Sequence, residues 1–413
     1  MPLSNDFKVL TWIANKGLQY LLNNLSFIRC GTSEYQAEFD NAIYAKGDTI
    51  QVRRVNRRIG GEGAVINLDG IVEKTETLSI EKQFNDGLYW STKEAALFQT
   101  GKEGAEIYAD RYIKPSILRM VHQAHNYLAE KAETDLCYYY GSPGTPINSY
   151  AQVAAFNARM QNLSMPVMEE KYLIVNPDDG ASLKSSLANF FNPVLHRGID
   201  EKYFLKSLAD FEFEETAGVK YHTAGSAGGL GGLTVKTDVT SGNTIVVTGF
   251  PGAAVGVFKK GDLITVGGSK IIAPASYKTT NIPVQYVVLA DADAVVDGAA
   301  FSATITVTPE VIIDPTNPFL NQDVKLAAGS TVTVLASHNA NTAFCKGGLS
   351  YACPPMQRMW TPESITVSDT KFGTGISLRL SKGADITNDK NIMRFDLLMG
   401  ARFWYEYGIR VVT

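Results

Sequence analysis

Residues 112–136 read YIKPSILRMVHQAHNYLAEKAETDL. Ile113, Ile117, Val121, Ala124, Leu128, Ala132 and Leu136 recur every three or four positions, so on a helix they form one apolar stripe. The helical pattern extends over 105–140. Pro115 near its start marks either the first turn, where a missing N–H costs nothing, or a kink. Gly141-Ser142-Pro143-Gly144 is the stop signal. From Pro115 to Tyr140 such a helix would be about 39 Å long.

Upstream, residues 48–55 alternate, with Ile50, Val52 and Val55 set against Gln51, Arg53 and Arg54. Residues 77–84 alternate again through Leu78, Ile80 and Phe84. Both read as half-buried strands. The glycine-rich, basic stretch 57–63 between them makes the pair a long ribbon with a mobile tip. A lone two-stranded ribbon is marginal in water, so it needs a surface to lie on. Residues 7–28 carry Val9, Leu10, Ile13, Leu18, Leu21, Leu22 and Leu25 at helical spacing, which Gly17 could interrupt. That face could pack on its own domain or on a neighbour.

Downstream, Tyr172–Val175 is a short buried strand. Asn176-Pro177-Asp178-Asp179 breaks it, and Asp178 or Asp179 could cap the helix whose core face is Leu183, Leu187, Phe190 and Phe191. Composition shifts after residue 223. Residues 226–232 read as a linker, and 233–335 are rich in Val, Thr, Ile and Gly. Short apolar runs recur there at Thr244–Thr248, Leu263–Val266, Val284–Leu289, Thr304–Thr308 and Val332–Leu335, the spacing of a small antiparallel barrel or sandwich. Residues 341–413 return to mixed character and end in strands at Phe395–Leu398 and Phe403–Val412. The expected class is α+β, with a β domain inserted into a fold that its flanks close.

At 413 residues the chain should hold about two or three cores. Hydrophobic residues at 45% and charged residues at 19% fit a globular protein. A formal charge of -4 lacks the basic surplus of a dedicated nucleic-acid binder. No apolar run reaches membrane-spanning length, and the first residues lack the pattern of a signal peptide. The four cysteines are scattered, which suits a chain made in a reducing cytoplasm.

No constellation supports a catalytic, cofactor or metal site. His122 and His125 lie at i, i+3, but Glu130 and Glu133 do not complete a ligand set, so they read as partly exposed helix histidines. His196, His222 and His338 read as isolated. Cys345 and Cys353 match no common zinc spacing and read as core thiols. Asp291, Asp293 and Asp297 read as a solvated turn, not a calcium loop. The dense charge cluster is Arg53, Arg54, Arg57 and Arg58. It could be a solvated strand, a contact with nucleic acid, or a set of bidentate partners for carboxylates on a neighbouring chain. The neighbour contact is preferred, because the segment is the ribbon that must lie on something.

The order of segments resembles the tailed-phage major capsid proteins of the Hong Kong 97 fold. It is more closely similar to the short-tailed podovirus branch, whose coat protein carries an inserted β-barrel. The likeness runs over roughly residues 45–413. It is carried by 112–115 with 128–131 and Asp135-Leu136, by 172–177, and by 208–212 with 222–225. It continues through Lys260-Gly261-Asp262 with 266–268, 298–300 with 306–309, 341–344 and 394–400. The resemblance implies an arm over 1–40, an extended loop over 41–85 and a peripheral domain with a spine helix over 86–145. An apical domain over 146–225, an inserted barrel over 226–340 and the returning strands over 341–413 complete it. It also implies self-assembly through hexamers and pentamers into a shell around double-stranded DNA, in a virion made in the bacterial cytoplasm. A portal is implied too, and so is a separate scaffolding protein, because the short N-terminal region carries no charged scaffold-like segment. Two rivals stand beside this reading. One is a β-rich adhesion or carbohydrate-binding protein, and the few aromatics between 233 and 335 speak against it. The other is an enzyme with an unrecognised site.

Overall fold

The computed structural model describes residues 5–24, 26–36, 49–53, 57–59, 73–91, 109–166, 168–187, 207–298, 300–359, 364–369 and 374–413. The helices are α1 (Asn5–Asn24), α2 (Ser26–Cys30), α3 (Lys114–Asp135), α4 (Tyr150–Asn162) and α5 (Pro177–Leu187), with a π-helical turn at Ala109–Ile113 before α3. The first strands are β1 (Thr49–Arg53), β2 (Thr75–Ser79), β3 (Lys82–Ser91), β4 (Tyr139–Gly141), β5 (Lys171–Val175), β6 (Ser207–Leu208), β7 (Phe211–Glu215) and β8 (Tyr221–His222). The β-rich stretch supplies β9 (Thr234–Val235), β10 (Ser241–Thr248), β11 (Ala254–Phe258), β12 (Leu263–Ile272), β13 (Thr279–Val288), β14 (Ala292–Asp297), β15 (Ala300–Ile312) and β16 (Val332–Val334). The chain closes with β17 (His338–Cys345), β18 (Leu349–Ala352), β19 (Ser364–Ser368), β20 (Ser377–Asp385), β21 (Lys390–Phe403) and β22 (Gly408–Val412). The class is α+β and rich in strand, and the chain forms two compact units.

The first unit comprises Met1–Val52, Thr77–Leu128 and Leu349–Arg402. Its sheet runs β18-β21-β20-β19, with β3 also paired to β21. In its core Ile117, Val121, Ala124 and Leu128 of α3 are buried, as are Leu378, Leu380, Phe395 and Leu397 of the sheet. Helix α1 packs on this same unit. A Cβ on Gly17 would sit 3.3 Å from Leu378 and 3.4 Å from Ile117, so the glycine permits the close crossing and does not break the helix. Strand β1 shows the expected alternation, with Ile50 and Val52 buried, and it pairs with β2 in a two-stranded sheet. The buried Asp396 accepts hydrogen bonds from Arg379 at 2.8 Å, Arg394 at 2.9 Å and Gln83 at 3.0 Å, tying three strands together.

The second unit comprises Arg53–Glu76, Ala129–Gly348 and Phe403–Thr413. One sheet runs β4-β22-β17-β5-β7-β6, with β8 on β17. Its β5 is buried at every position, as a strand covered on both faces must be. Val153, Phe156 and Met160 of α4 and Leu183 of α5 are buried in the same core cluster. The other sheet runs β11-β14-β15-β13-β12-β16, with β10 joining β15 to β9. It nearly closes on itself, because Thr234 bridges Thr331 beside β16. One face, by register, carries Ile245, Val247, Ile264, Val266, Val288, Ile305 and Val307, all buried.

Several expectations need correction. The long helix ends at Asp135, not Tyr140, and its 22 residues span about 33 Å. Beyond it the backbone joins a sheet: the Arg410 N–H donates to the Tyr138 carbonyl at 2.7 Å, and β4 pairs in parallel with β22. Asn176, not either aspartate, caps α5, its side chain accepting from the Asp178 N–H at 3.1 Å. Pro177 opens that helix at the position where its lost N–H is harmless. Phe190 and Phe191 lie outside the described residues. Residues 226–232 are no free linker: the Ala227 N–H donates to Val257 at 2.9 Å, the Gly229 N–H donates to Val334 at 3.0 Å, and Ala227 is buried. At the end of the chain, β21 runs through Phe403. A turn, closed by the Tyr407 N–H on the Trp404 carbonyl at 2.9 Å, separates it from β22.

Candidate assembly surface and buried junction

Two limbs of the ribbon converge on one aromatic ring. Arg57, just beyond β1, pairs with Glu406 of the turn before β22, and both side chains are only 15% exposed. Its guanidinium carbon lies 5.5 Å from the centroid of the Phe319 ring. From the returning limb, just before β2, the Lys74 ammonium lies 5.9 Å from the same centroid and 3.3 Å from Glu310 of β15. Phe319 itself is buried. A cleft of about 440 Å³ opens beside it, lined by Glu73, Lys74, Glu310, Asp314 and Asn317 among others. Three carboxylates there face one lysine.

The other arginines are placed differently. Arg53 ends β1 and reaches Glu73 at 3.6 Å, with both side chains exposed. Arg58 is exposed and makes no ion pair among the described residues. Arg54 lies outside the described residues. Sequence reading singled out Arg57 but missed Lys74, Glu310, Glu406 and the role of Phe319. These residues are distant in sequence, and nothing in their spacing announces a shared surface.

A second constellation is buried at its centre, with Lys220 reaching in from an exposed position. His222 on β8 bonds Glu133 near the end of α3 through Nδ1, and Asp262 in the turn before β12 through Nε2 at 2.6 Å. Lys220 reaches Glu133 at 2.6 Å. Arg410 of β22 donates to the carbonyl of Gly261 at 2.9 Å and to the carbonyl of Glu133. Asp262 also accepts from the Lys259 N–H at 2.7 Å and the Gly225 N–H at 3.2 Å. Burial disfavours the His222 charge, but the carboxylates of Asp262 and Glu133 outweigh it and raise the pKa. Burial likewise opposes ionisation of Glu133, yet hydrogen bonds from His222 and Lys220 hold it at about 2. Burial lowers Arg410 to about 10, with Glu133 and Asp262 working against the shift. The ring of His338 stacks 5.2 Å from His222 and stays neutral, its pKa lowered to about 4 by burial and then by Arg410. The arrangement is a neutralised polar lock. It joins the turn that starts β12 to the end of α3 and to β22, and it corrects the reading of His222 and His338 as isolated. One signal was available: an arginine in the middle of GIRVV, an otherwise apolar strand.

His125 is also corrected. It is buried, not partly exposed, because the α3 stripe turns it inward against Phe27, with ring centroids 6.0 Å apart. Its Nε2 accepts the Ser26 N–H at 3.2 Å, and burial lowers its pKa to about 4. His122 is exposed. All four cysteines are free and buried, and burial pushes Cys345 and Cys353 up to about 12. Asp291 and Asp293 accept from the backbone N–H groups of Lys260 and Gly256 at 2.7 and 2.6 Å, so they anchor turns. Among the described residues, no group of three or more His, Cys, Asp or Glu could hold a metal ion, and no helix is long and apolar enough to cross a membrane.

Residues 220–405 match the family model described as P22 coat protein, gene protein 5, a stretch that opens at the buried lock and takes in the whole eight-stranded sheet. Over that stretch, a little under half of its length, the chain is similar to a phage coat protein. That likeness favours a structural role over an enzymatic one, and the adhesin reading is not favoured. Comparison with curated proteins gives no match. Among solved structures it is similar to one from Mycobacterium phage Che8, with 8% identity over 94% of this chain and 90% of that one and a TM-score of 0.48. The capsid of Ralstonia phage GP4 is similar at 8% identity over 92% and 86%, with a TM-score of 0.43. The CUS-3 coat protein I-domain shares 22% identity over 25% of this chain and 94% of its own length, with a TM-score of 0.18.

Proposed function

We propose that the chain is a tailed-phage major capsid protein with the Hong Kong 97-like fold of the podovirus branch. In this reading the nearly closed sheet at 233–335 is an inserted antiparallel barrel, carried by the peripheral and apical parts of the chain. Subunits assemble through hexamers and pentamers into an icosahedral head that encloses double-stranded DNA, with a separate scaffolding protein and a portal as partners. The chain is made in the host cytoplasm and ends in the virion. The observation that carries this reading is the coincidence of that sheet with the family match over 220–405. Heterologous contacts repeated by rotation close into rings, and many weak contacts then act together. Arg53, Arg54, Arg57 and Arg58 contact carboxylates of a neighbouring subunit. Negative-stain electron microscopy of the purified protein, alone and with its scaffolding partner, tests the reading. Closed shells or capsomer rings of uniform size are expected; a persistent monomer in both preparations would overturn it.

A further inference from the structure

We propose that the cavity between β4, α4 and the end of β22 is a binding site for a carboxylate carried on a short apolar stem, with the Arg159 guanidinium as its receptor. The inference stands on the cavity itself and does not depend on the shell reading.

The cavity measures about 430 Å³, within the range of about 300–1,000 Å³ that small-molecule pockets occupy. Arg159 lines it from the last turn of α4. A guanidinium is a fork of N–H donors with no acceptor capacity. Among the described residues its only acceptor is Oε1 of Gln285, 3.0 Å from Nη2. The Nε is buried without a hydrogen-bond partner. Burial lowers the pKa to about 10, and the groups that oppose the shift are the phenols of Tyr139, Tyr138 and Tyr140, not carboxylates. No side chain lining the cavity, among the described residues, is acidic. Two other basic side chains buried in the same unit are provided for: Lys171 faces Asp210 at 2.6 Å, and Lys184 faces Glu215. Arg159 lacks such a partner and needs one from elsewhere. Water satisfies an N–H but supplies no counter-charge.

The cation is also held ready. Gln285 is buried, and its Oε1 accepts the Tyr139 N–H at 3.0 Å while its Nε2 donates to the Tyr139 carbonyl at 3.4 Å. The glutamine is thereby fixed to β4 and orients the guanidinium before a ligand arrives, which removes an ordering cost from binding. The neighbouring walls are apolar. Ile147, Phe156 and Val412 are buried, and the ring of Tyr140 stands edge-on to Phe156 at 5.7 Å. A planar fork matches a carboxylate through two parallel hydrogen bonds, and the walls match the stem behind it. A bare oxyanion satisfies the cation but leaves those walls in water.

Isothermal titration calorimetry on the unassembled subunit tests this with 3-phenylpropionate, its neutral isostere 3-phenylpropionamide, and inorganic phosphate. The acid is expected to bind at least about tenfold more tightly than either the amide or phosphate, as loss of a charge-assisted hydrogen bond implies. Arg159→Gln should remove the preference for acid over amide, and Arg159→Lys, which keeps the charge and loses the fork, should fall between. The comparison on the unmutated chain needs no folded variant. Equal affinity for acid and amide there, or a preference that survives in an Arg159→Gln subunit with the parent's circular dichroism spectrum, overturns the assignment. Phosphate bound as tightly as the acid overturns the apolar stem. The same titration on assembled shells separates the two sources of such a carboxylate. Affinity kept in shells assigns the site to a free small acid, and affinity lost by at least about tenfold assigns it to an acidic side chain of a neighbouring copy.

Discussion

Arg410, on the last strand, donates to the backbone carbonyl of Gly261 at 2.9 Å, inside the turn that starts β12. The same guanidinium holds the carbonyl of Glu133 near the end of α3. A side chain this deeply buried should be expensive to charge, but Glu133 and Asp262 stand opposite it. Replacing it by an apolar residue of similar length strands the carbonyls of Gly261 and Glu133 and removes the buried cation opposite both carboxylates. Breaking one partner out of a buried ion set costs about 3–5 kcal/mol. Arg410→Met should therefore lower the urea midpoint of the unassembled subunit by that equivalent. A loss below about 1 kcal/mol would show that the lock behaves like a surface pair.

Gly261 makes the complementary prediction. Its φ of +94° is the left-handed region that favours glycine, and a Cβ there would sit 2.9 Å from Cγ of Glu133. Both the strain and the contact act against Gly261→Ala, and the displaced carboxylate is the one that His222 bonds. The expected cost is about 1–3 kcal/mol, read from the same denaturation curves. A control at Gly252, where a Cβ meets nothing and no positive φ is required, should change stability by less than about 0.5 kcal/mol. Equal effects at the two sites would refute the reasoning.

What could be read from the sequence was what periodicity encodes. The α3 stripe from Ile113 to Leu136 is buried at every one of the seven positions named for it. The runs at 244–248 and 263–266 fall on strands of the nearly closed sheet, and that at 332–335 overruns its strand by one residue. Boundaries failed where tertiary pairing decided them. Nothing local ends α3 at Asp135; the sheet partner β22, more than 270 residues later, does. The assembly surface failed for a similar reason. Arg57 belongs to a conspicuous basic cluster, but its carboxylate partner is 349 residues away and its ring partner is a phenylalanine that composition alone marks as core. Charge was legible; complementarity was not.

Two buried histidines set the acid limit. His125 in the first unit and His338 in the second are each held at about 4, against an ordinary value of 6.5. Between those values the unfolded chain takes up a proton at each position that the native chain refuses, so stability falls as pH drops. The slope is about 1.4 kcal/mol per pH unit for each group. His222 has the opposite sign: its raised pKa makes its contribution whole below 6.5 and lost as pH rises through the folded value. Glu133, held at about 2, loses its contribution only as pH falls from 4.5 toward that value. Urea midpoints of unassembled subunits should therefore decline from pH 6.5 to 4.5. His338→Phe should flatten that decline for the second unit by one proton's worth. An unchanged slope would mean that His338 titrates normally.

Asn341 closes a buried circuit on the other side of the same unit. Its amide oxygen accepts the Asn176 N–H at 2.8 Å, and its amide nitrogen donates to Asp179 at 2.7 Å and to the Thr413 hydroxyl at 3.1 Å. The Thr413 hydroxyl donates in turn to the same Asp179 oxygen at 2.8 Å. Strand β17 is thereby joined to the start of α5 and to the residue after β22. Asn341→Leu conserves volume but strands the Asn176 N–H and leaves Asp179 with one donor instead of two. An unsatisfied buried group costs about 1–3 kcal/mol, so two of them should remove about 2–6 kcal/mol. Asn341→Asp separates this account from simple loss of packing. It sets carboxylate against carboxylate, and the pair can persist only by sharing a proton. Its folded-state affinity for that proton is then raised, so its stability is retained at low pH and lost as pH rises. The Asp variant should consequently lie closer to the parent at pH 5 than at pH 7 in urea denaturation, while the Leu variant keeps a constant deficit. A deficit shared equally by both variants at both pH values would place the energy in packing and not in the hydrogen-bonded circuit.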